Sequence, residues 1–292
     1  MSHLTIRAPA KLNLGLEVLG VRPDGYHDIA TILQAVSIFD DLTLRPSTDL
    51  ELTCSLSELA GPSNLALVAA QRLQRQAAVE SGASIHLTKR IPAAAGLGGA
   101  SSDAAATLIA ARQLWRIDGV DIGALAARLG SDVPFFLTGG TTLATGRGDQ
   151  LGALPVPETL WFVVVSPTLD IERKTATMYT ALGPDDMTGG ETINRQADRL
   201  RDGATIDPTL LVNAFYRPLI AQHPALRPIA RAMTGAGAPF VALSGAGPSH
   251  YTALSTADDA RHLATSLARH LGDSARVFLC QPVAEPPLVV TT

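Results

Sequence analysis

Basic runs, cysteine pairs and long apolar stretches are what this chain of 292 residues has least of, and each shortage removes a class of function. Cys54 and Cys280 are the only cysteines, too few and too far apart for a disulfide framework or a thiolate zinc site. A reducing, cytoplasmic setting fits. No run of Lys and Arg is longer than a pair such as Lys89-Arg90, and the net charge is −4, so the basic stripe that grips a phosphate backbone is missing and nucleic acid is not an expected partner. Apolar stretches are broken by Gly, Ser and Pro well short of the ~20 residues that span a bilayer, so no membrane segment is expected. The first residues, MSHLTIRAPAKLNLG, lack the basic-then-apolar layout of an export signal and the Arg- and Ser-rich look of a transit peptide.

What is present reads as a folded chain. Hydrophobic residues make up 46% and charged residues 17%, enough to bury a core of one large or two ordinary domains. Leu12, Leu14, Leu16 and Val18 alternate with Asn13, Gly15 and Glu17, the period of a half-buried strand. A turn at Arg22-Pro23-Asp24-Gly25 follows, then Ile29 to Leu44 reads as strand. Asn64 caps an expected helix from Leu65 toward Glu80, and Ser84 to Thr88 is a strand. Helix is expected from Asp103 and over Ile122 to Leu129, and strand over Phe135 to Ala144. Leu154-Pro155-Val156-Pro157 reads as a linker, which divides the chain into 1–155 and 156–292. Beyond it, strands are expected at Leu160 to Val165, Phe240 to Leu243, Tyr251 to Leu254 and Ala275 to Cys280. Helices fit Arg173 to Leu182, Thr209 to Gln222, Leu226 to Met233 and Ala257 to Leu271, with loop from Gly183 to Gly190. The alternation indicates an α+β or α/β fold without repeats.

The segment Pro92-Ala93-Ala94-Ala95-Gly96-Leu97-Gly98-Gly99-Ala100-Ser101-Ser102 combines close glycines, hydroxyls and an immediate Ala-rich helix. Open N–H groups at a helix start favour a bound phosphate. A Walker loop needs Lys then Ser or Thr after its last Gly, and Ala100-Ser101 stands there instead. A dinucleotide loop counted from Gly96 needs Gly at position 101, which is Ser101. On its own, the segment reads equally as a tight connection into a helix.

Three segments taken together resemble the GHMP kinase superfamily: Pro9-Ala10-Lys11-Leu12-Asn13-Leu14, Pro92 to Ser102, and Leu243-Ser244-Gly245-Ala246-Gly247-Pro248-Ser249. The turn Asp24-Gly25-Tyr26-His27 and the link Gly130-Ser131-Asp132-Val133-Pro134 are similar, more narrowly, to the 4-diphosphocytidyl-2-C-methyl-D-erythritol kinase family. The resemblance runs from about residue 6 to residue 254. It implies an α+β, two-domain fold with the site in the interdomain cleft, and transfer of the γ-phosphoryl of ATP to the 2-hydroxyl of a cytidine diphosphate-linked methylerythritol in non-mevalonate isoprenoid synthesis. The partner it implies is a small molecule, in a monomer or homodimer.

The resemblance also implies roles. Asp132 becomes the proton acceptor, although spacing alone favours a turn or capping aspartate. Lys11 sits beside it and stabilises charge on the transferring group, whereas a lone strand lysine is ordinarily solvated. Asn13, two residues on and on the same face, orients the acceptor hydroxyl or serves a structural hydrogen bond. Tyr26 and His27 hold the cytosine by stacking and hydrogen bonding, Tyr179 supplies an opposite wall with Thr175 nearby, and Lys89 stands at the rim. The helix with Met178 in the core is the alternative for the Tyr179 segment. Pro92 to Ser102 bind ATP, with Mg²⁺ carried by phosphate oxygens and water and no protein metal ligand assigned. Asp103 is a candidate for the metal or simply a helix-start aspartate. Ala100 stands where a third consecutive Gly is common, which requires a negative φ there. Another kinase of the superfamily, acting on homoserine or a mevalonate, fits Tyr26-His27 poorly. A nucleotide-binding regulator has no use for Lys11 and Asp132 together.

Overall fold

The computed structural model describes residues 3–157, 160–169 and 174–291, and for 174 and 175 the backbone alone. Strand β1 (Leu4–Val21) and strand β2 (His27–Ser47) form a long antiparallel hairpin, with register shifts between Pro9 and Ala10 and between Asn13 and Leu16. Those irregularities re-aim side chains around Lys11 and Asn13. The hairpin turns at Gly25, whose φ of 82° suits glycine, with Tyr26 N donating to Asp24 Oδ1 at 3.1 Å.

Strand β3 (Leu50–Cys54), helix α1 (Leu65–Gln76) and strand β4 (Gly82–Thr88) follow, with β3 and β4 parallel. Asn64 caps α1, its Oδ1 accepting from Ala66 N at 2.9 Å. Helix α2 (Gly99–Leu114) buries Ala104, Ala105, Ala106, Ala110 and Ala111 completely. Methyl side chains let it lie close on β1 and α1. Helix α3 (Ile122–Leu129) is capped by Asp121, and helix α4 (Val133–Thr138) occupies ground expected to be strand. Pro134 in its first turn is preorganised for helix, and Phe135 and Phe136 are both buried, 5.0 Å apart edge to face. Strand β5 (Thr141–Gly146) and strand β6 (Gln150–Leu154) complete this part of the sheet.

The second half builds strand β7 (Trp161–Pro167), helix α5 (Lys174–Thr180) and helix α6 (Glu191–Arg201). The expected helix start at Arg173 lies outside the described residues. Helix α6 was not legible as a helix; its amide at Ile193 is satisfied from outside by Glu17 Oε2 at 2.8 Å, a buried carboxylate on β1. The helix expected over Thr209 to Gln222 is confined to α7 (Tyr216–Gln222). The chain before it is drawn onto β1, with Leu16 N bonded to Val212 O and Ala214 N to Leu16 O. Helix α8 (Arg227–Gly235), strand β8 (Ala242–Leu243), strand β9 (His250–Leu254), helix α9 (Ala257–Leu271), strand β10 (Ala275–Cys280) and strand β11 (Val289–Thr291) follow.

Two mixed layers result, which makes the fold α+β. A seven-stranded sheet runs β11-β1-β2-β4-β3, with β5 and β6 branching from β2, and a four-stranded sheet runs β10-β7-β9-β8. The last strand thus returns to the first sheet. Helices α1 to α4 share the core of the larger sheet, and α8 and α9 pack with β7 and β10 of the smaller one. Among the described residues, no helix is long and apolar enough to cross a membrane.

Candidate active site

Three hydrogen bonds to its carbonyls shape the glycine loop ahead of α2. Lys11 N donates to Leu97 O at 2.9 Å, Ser244 Oγ to Gly96 O at 2.9 Å, and Ser249 N to Ala95 O at 3.2 Å. The early strand and the late glycine motif therefore both grip the loop. Gly96 has a φ of 80°, and a Cβ there would stand 2.3 Å from Ser244 O, so no other residue fits. Ala94 also adopts a left-handed φ of 51°, while Ala100 is already helical. Ser102 N bonds Gly98 O at 2.9 Å, which leaves the amides just before it as the open donors of a 16-residue helix.

The loop forms one side of a cavity of about 1230 Å³. Pro92 to Gly96 and Gly98 to Ser101 line it, as do Lys11, Asn13, Tyr26, His27, Lys89, Asp103, Asp132 and Tyr179. Leu97 and Ser102 do not: both are buried behind the loop, Leu97 in the apolar core. Thr175 has its side chain outside the described residues.

Lys11 and Asp132 stand together on one wall of this cavity. Lys11 Nζ stands 3.9 Å from Asp132 Oδ2 and 2.5 Å from Asn13 Oδ1. Burial lowers the pKa of Lys11 below the usual lysine value, and Asp132 restores part of it. Asp132 precedes α4 but its side chain makes no capping bond, and it is 39% exposed to the cleft. The capping alternative therefore gives way to a carboxylate free to meet a ligand. Asn13 is committed on both sides, since its Nδ2 donates to Thr31 Oγ1 at 2.8 Å. It fixes Lys11 and keeps a second Nδ2 proton on the cavity wall.

Lys89, expected at the rim, is one of the residues on the cavity wall. It is buried under the loop, bonded to Asp40 Oδ2 and, at 2.6 Å, to Asp103 Oδ2. Asp40 Oδ1 also accepts from Arg90 N and Ile91 N. Burial pushes the Asp103 carboxyl up to about 7, against the pull of Lys89. The Lys89 ammonium, which burial disfavours, is held above its usual value by the two carboxylates. Asp103 Oδ1 keeps no partner.

At the other end, His27 and Tyr179 stack with ring centroids 4.5 Å apart, and Phe215 meets Tyr179 edge-on at 4.9 Å. Burial, then the Asp132 charge, raises the Tyr179 phenol to about 12. Met178 beside it is fully buried, so α5 offers one residue to the core and the next to the cleft. Tyr26 is exposed, with the Arg147 guanidinium 5.0 Å over its ring. Arg147, Asp40 and Tyr251 carry no motif, which is why sequence reasoning passed over them. Tyr251 is fully buried, yet its hydroxyl donates to Asn13 O at 2.8 Å and so supports the strand bearing Lys11.

The chain is similar in sequence and in fold to known proteins. Residues 64–140 match the family described as GHMP kinases N terminal domain. A 4-diphosphocytidyl-2-C-methyl-D-erythritol kinase from Geobacter metallireducens is 37% identical over 273 residues, covering 91% of this chain and 95% of that protein. A crystal structure of 4-(cytidine 5'-diphospho)-2C-methyl-D-erythritol kinase superposes with a TM-score of 0.82 at 34% identity, over 97% of this chain and 99% of the other. Homoserine kinase from Cytophaga hutchinsonii shares the fold, with a TM-score of 0.78 at 19% identity over 99% of this chain and 97% of that one.

Proposed function

The chain belongs to the 4-diphosphocytidyl-2-C-methyl-D-erythritol kinase family of GHMP kinases, and from that premise we propose how its cleft works. The enzyme phosphorylates the 2-hydroxyl of 4-diphosphocytidyl-2-C-methyl-D-erythritol with ATP, in isoprenoid biosynthesis. The observation that carries the mechanism is the Lys11–Asp132 pair, 3.9 Å apart at one wall of a cavity whose other wall is the phosphate loop.

In this reading the ATP phosphates lie on the open amides at the start of α2 and on the Pro92 to Ser101 backbone. Asp132 accepts the proton of the 2-hydroxyl as its oxygen bonds to the γ-phosphorus. The bond from that phosphorus to the β–γ bridging oxygen breaks, and ADP leaves. Lys11, itself buried, stabilises the charge that spreads over the transferring group. Its position is set by Asn13, and that of Asn13 by Thr31. Leu97 and Ser102 act through packing.

The cytosine is read between Tyr26 and the His27–Tyr179 pair, with imidazole hydrogen bonds selecting the base where stacking alone would tolerate any. Arg147 offers its guanidinium to the substrate diphosphate. The described residues contain no cluster of three or more His, Cys, Asp or Glu able to hold a metal. Asp103, with one buried oxygen unpartnered and a place on the cavity wall, fits a Mg²⁺ brought in by ATP. That ion supplies neutralisation of phosphate charge. With the division at 1–155 and 156–292, both parts line the cavity, Lys11 and Asp132 from the first and Tyr179, Phe215 and Gly245 from the second, and a cytoplasmic monomer or homodimer is the expected form.

Phosphorus NMR of the product tests the reading. A new monoester resonance with no three-bond coupling to a carbinol proton, because the methyl-bearing C2 carries none, formed with loss of the ATP γ-signal, is expected. A phosphate on any other hydroxyl would overturn the placement of Asp132.

A further inference from the structure

Outside the catalytic cleft, a second cavity of about 930 Å³ opens where α1 meets α3, walled by Arg72, Arg75, Arg128 and Arg147 and by no Asp or Glu. Arg72 Nη1 donates to Arg128 O at 2.8 Å, and Arg128 Nη2 to Gln76 Oε1 at 3.0 Å. Both acceptors are neutral. The bonds brace the helices and orient the guanidiniums without cancelling charge. Only Arg147 has a carboxylate partner, Asp149 at 3.0 Å; among the described residues, none pairs with Arg72, Arg75 or Arg128. Three unopposed cations on one wall repel one another, an arrangement that a bound polyanion relieves.

We infer that this cavity is a second anion site, which binds a small diphosphate-bearing ligand. Planar guanidiniums present paired donors that match phosphate oxygens two at a time, and donors from two helices can engage both phosphates of a diphosphate. A nucleic-acid strand is a poor occupant, because the basic residues are gathered in one cavity of a chain whose net charge is −4. Tyr26, Ser131 and Arg147 line this cavity and the catalytic one alike. An anion bound here therefore rests against the loop whose next residue is Asp132, and its occupancy is coupled to the catalytic carboxylate.

Calorimetric titration with inorganic pyrophosphate, after the catalytic cleft is saturated with CDP and a non-hydrolysable ATP analogue, tests the site. One further equivalent is expected to bind. Arg75→Ala with Arg128→Ala should weaken it at least tenfold, while Arg75→Lys, which keeps the charge but loses the paired donors, should fall between that variant and the wild type. A parallel titration with methyl diphosphate identifies the source: tighter binding than pyrophosphate assigns the site to a diphosphate ester, and weaker binding assigns it to the free anion. No binding to the saturated enzyme, or binding that the double substitution leaves unchanged, overturns the inference.

Discussion

Lys89 Nζ lies 2.6 Å from Asp103 Oδ2, and this one contact ties the end of β4, where the chain enters the phosphate loop, to α2, where it leaves. Asp40 on β2 completes the tie by holding Lys89 and the amides of Arg90 and Ile91. Both ends of the loop are thus pinned to buried charge beneath it. Removing one member of such a set strands the others, at a cost of about 3–5 kcal/mol. Lys89→Met should therefore lower stability by roughly that amount in urea unfolding. It should also raise the KM for ATP about tenfold and leave the KM for the acceptor within about twofold, an ordering that steady-state kinetics checks. Equal effects on both substrates would count against a role confined to the loop.

His250 predicts a pH dependence of stability. It is fully buried, with Nδ1 2.9 Å from Pro248 O and Nε2 without a partner. Burial brings its pKa down to about 4, the Pro248 carbonyl opposing only in part. The unfolded chain, with a histidine near 6.5, takes up the proton first as pH falls, so the stability is whole above about 6.5 and is lost toward 4. The loss should be on the order of 3 kcal/mol, and His250→Asn should flatten that limb of the stability–pH curve. A wild-type curve that is flat across this window would contradict the buried, neutral imidazole.

Tyr251→Phe removes the donor to Asn13 O while keeping the ring that packs on Phe162 and Phe240. The carbonyl left behind is buried, so the expected loss is about 1–3 kcal/mol. Because the carbonyl belongs to the strand of Lys11, kcat should fall several-fold with little change in either KM. Unchanged kcat in a variant destabilised by that amount would make Tyr251 purely structural.

Tyr179→Ala exposes the face of His27 on which its ring now stacks. Loss of a stacking wall is worth about 1–3 kcal/mol, which is roughly 5- to 150-fold in acceptor affinity. The KM for ATP should hold. Steady-state kinetics with each substrate varied in turn separates the two, and a matching rise for ATP would place Tyr179 elsewhere than the cytidine wall.

Much of the site could be read from local pattern, because its parts are short segments with strong local rules. Gly96 and Gly98 mark positive φ, Asn64 marks a cap, and the Lys11 strand shows its period of two. What escaped depends on distant partners. Phe135-Phe136 look like strand until Pro134 and the α2 surface make them helix. Helix α6 relies on Glu17, 176 residues away, for one of its first amides. Nothing local shows that Lys89 pairs beneath the loop, because its partners Asp40 and Asp103 lie 49 and 14 positions off in sequence. Tyr251 gives no sign that its hydroxyl serves Asn13, and Arg147 gives none that it covers Tyr26. Such pairings join positions far apart in the chain, and no local pattern marks them.

The most direct test of the central claim is ADP release from Mg-ATP, comparing wild type with Asp132→Asn and the cytidylyl acceptor with bare methylerythritol. Turnover that requires the cytidylyl group, and a kcat reduced at least about 100-fold in Asp132→Asn with both KM values near wild type, is the result expected for a carboxylate that takes the hydroxyl proton. Equal turnover with the bare alcohol, or an Asp132→Asn enzyme with nearly full kcat, would contradict it.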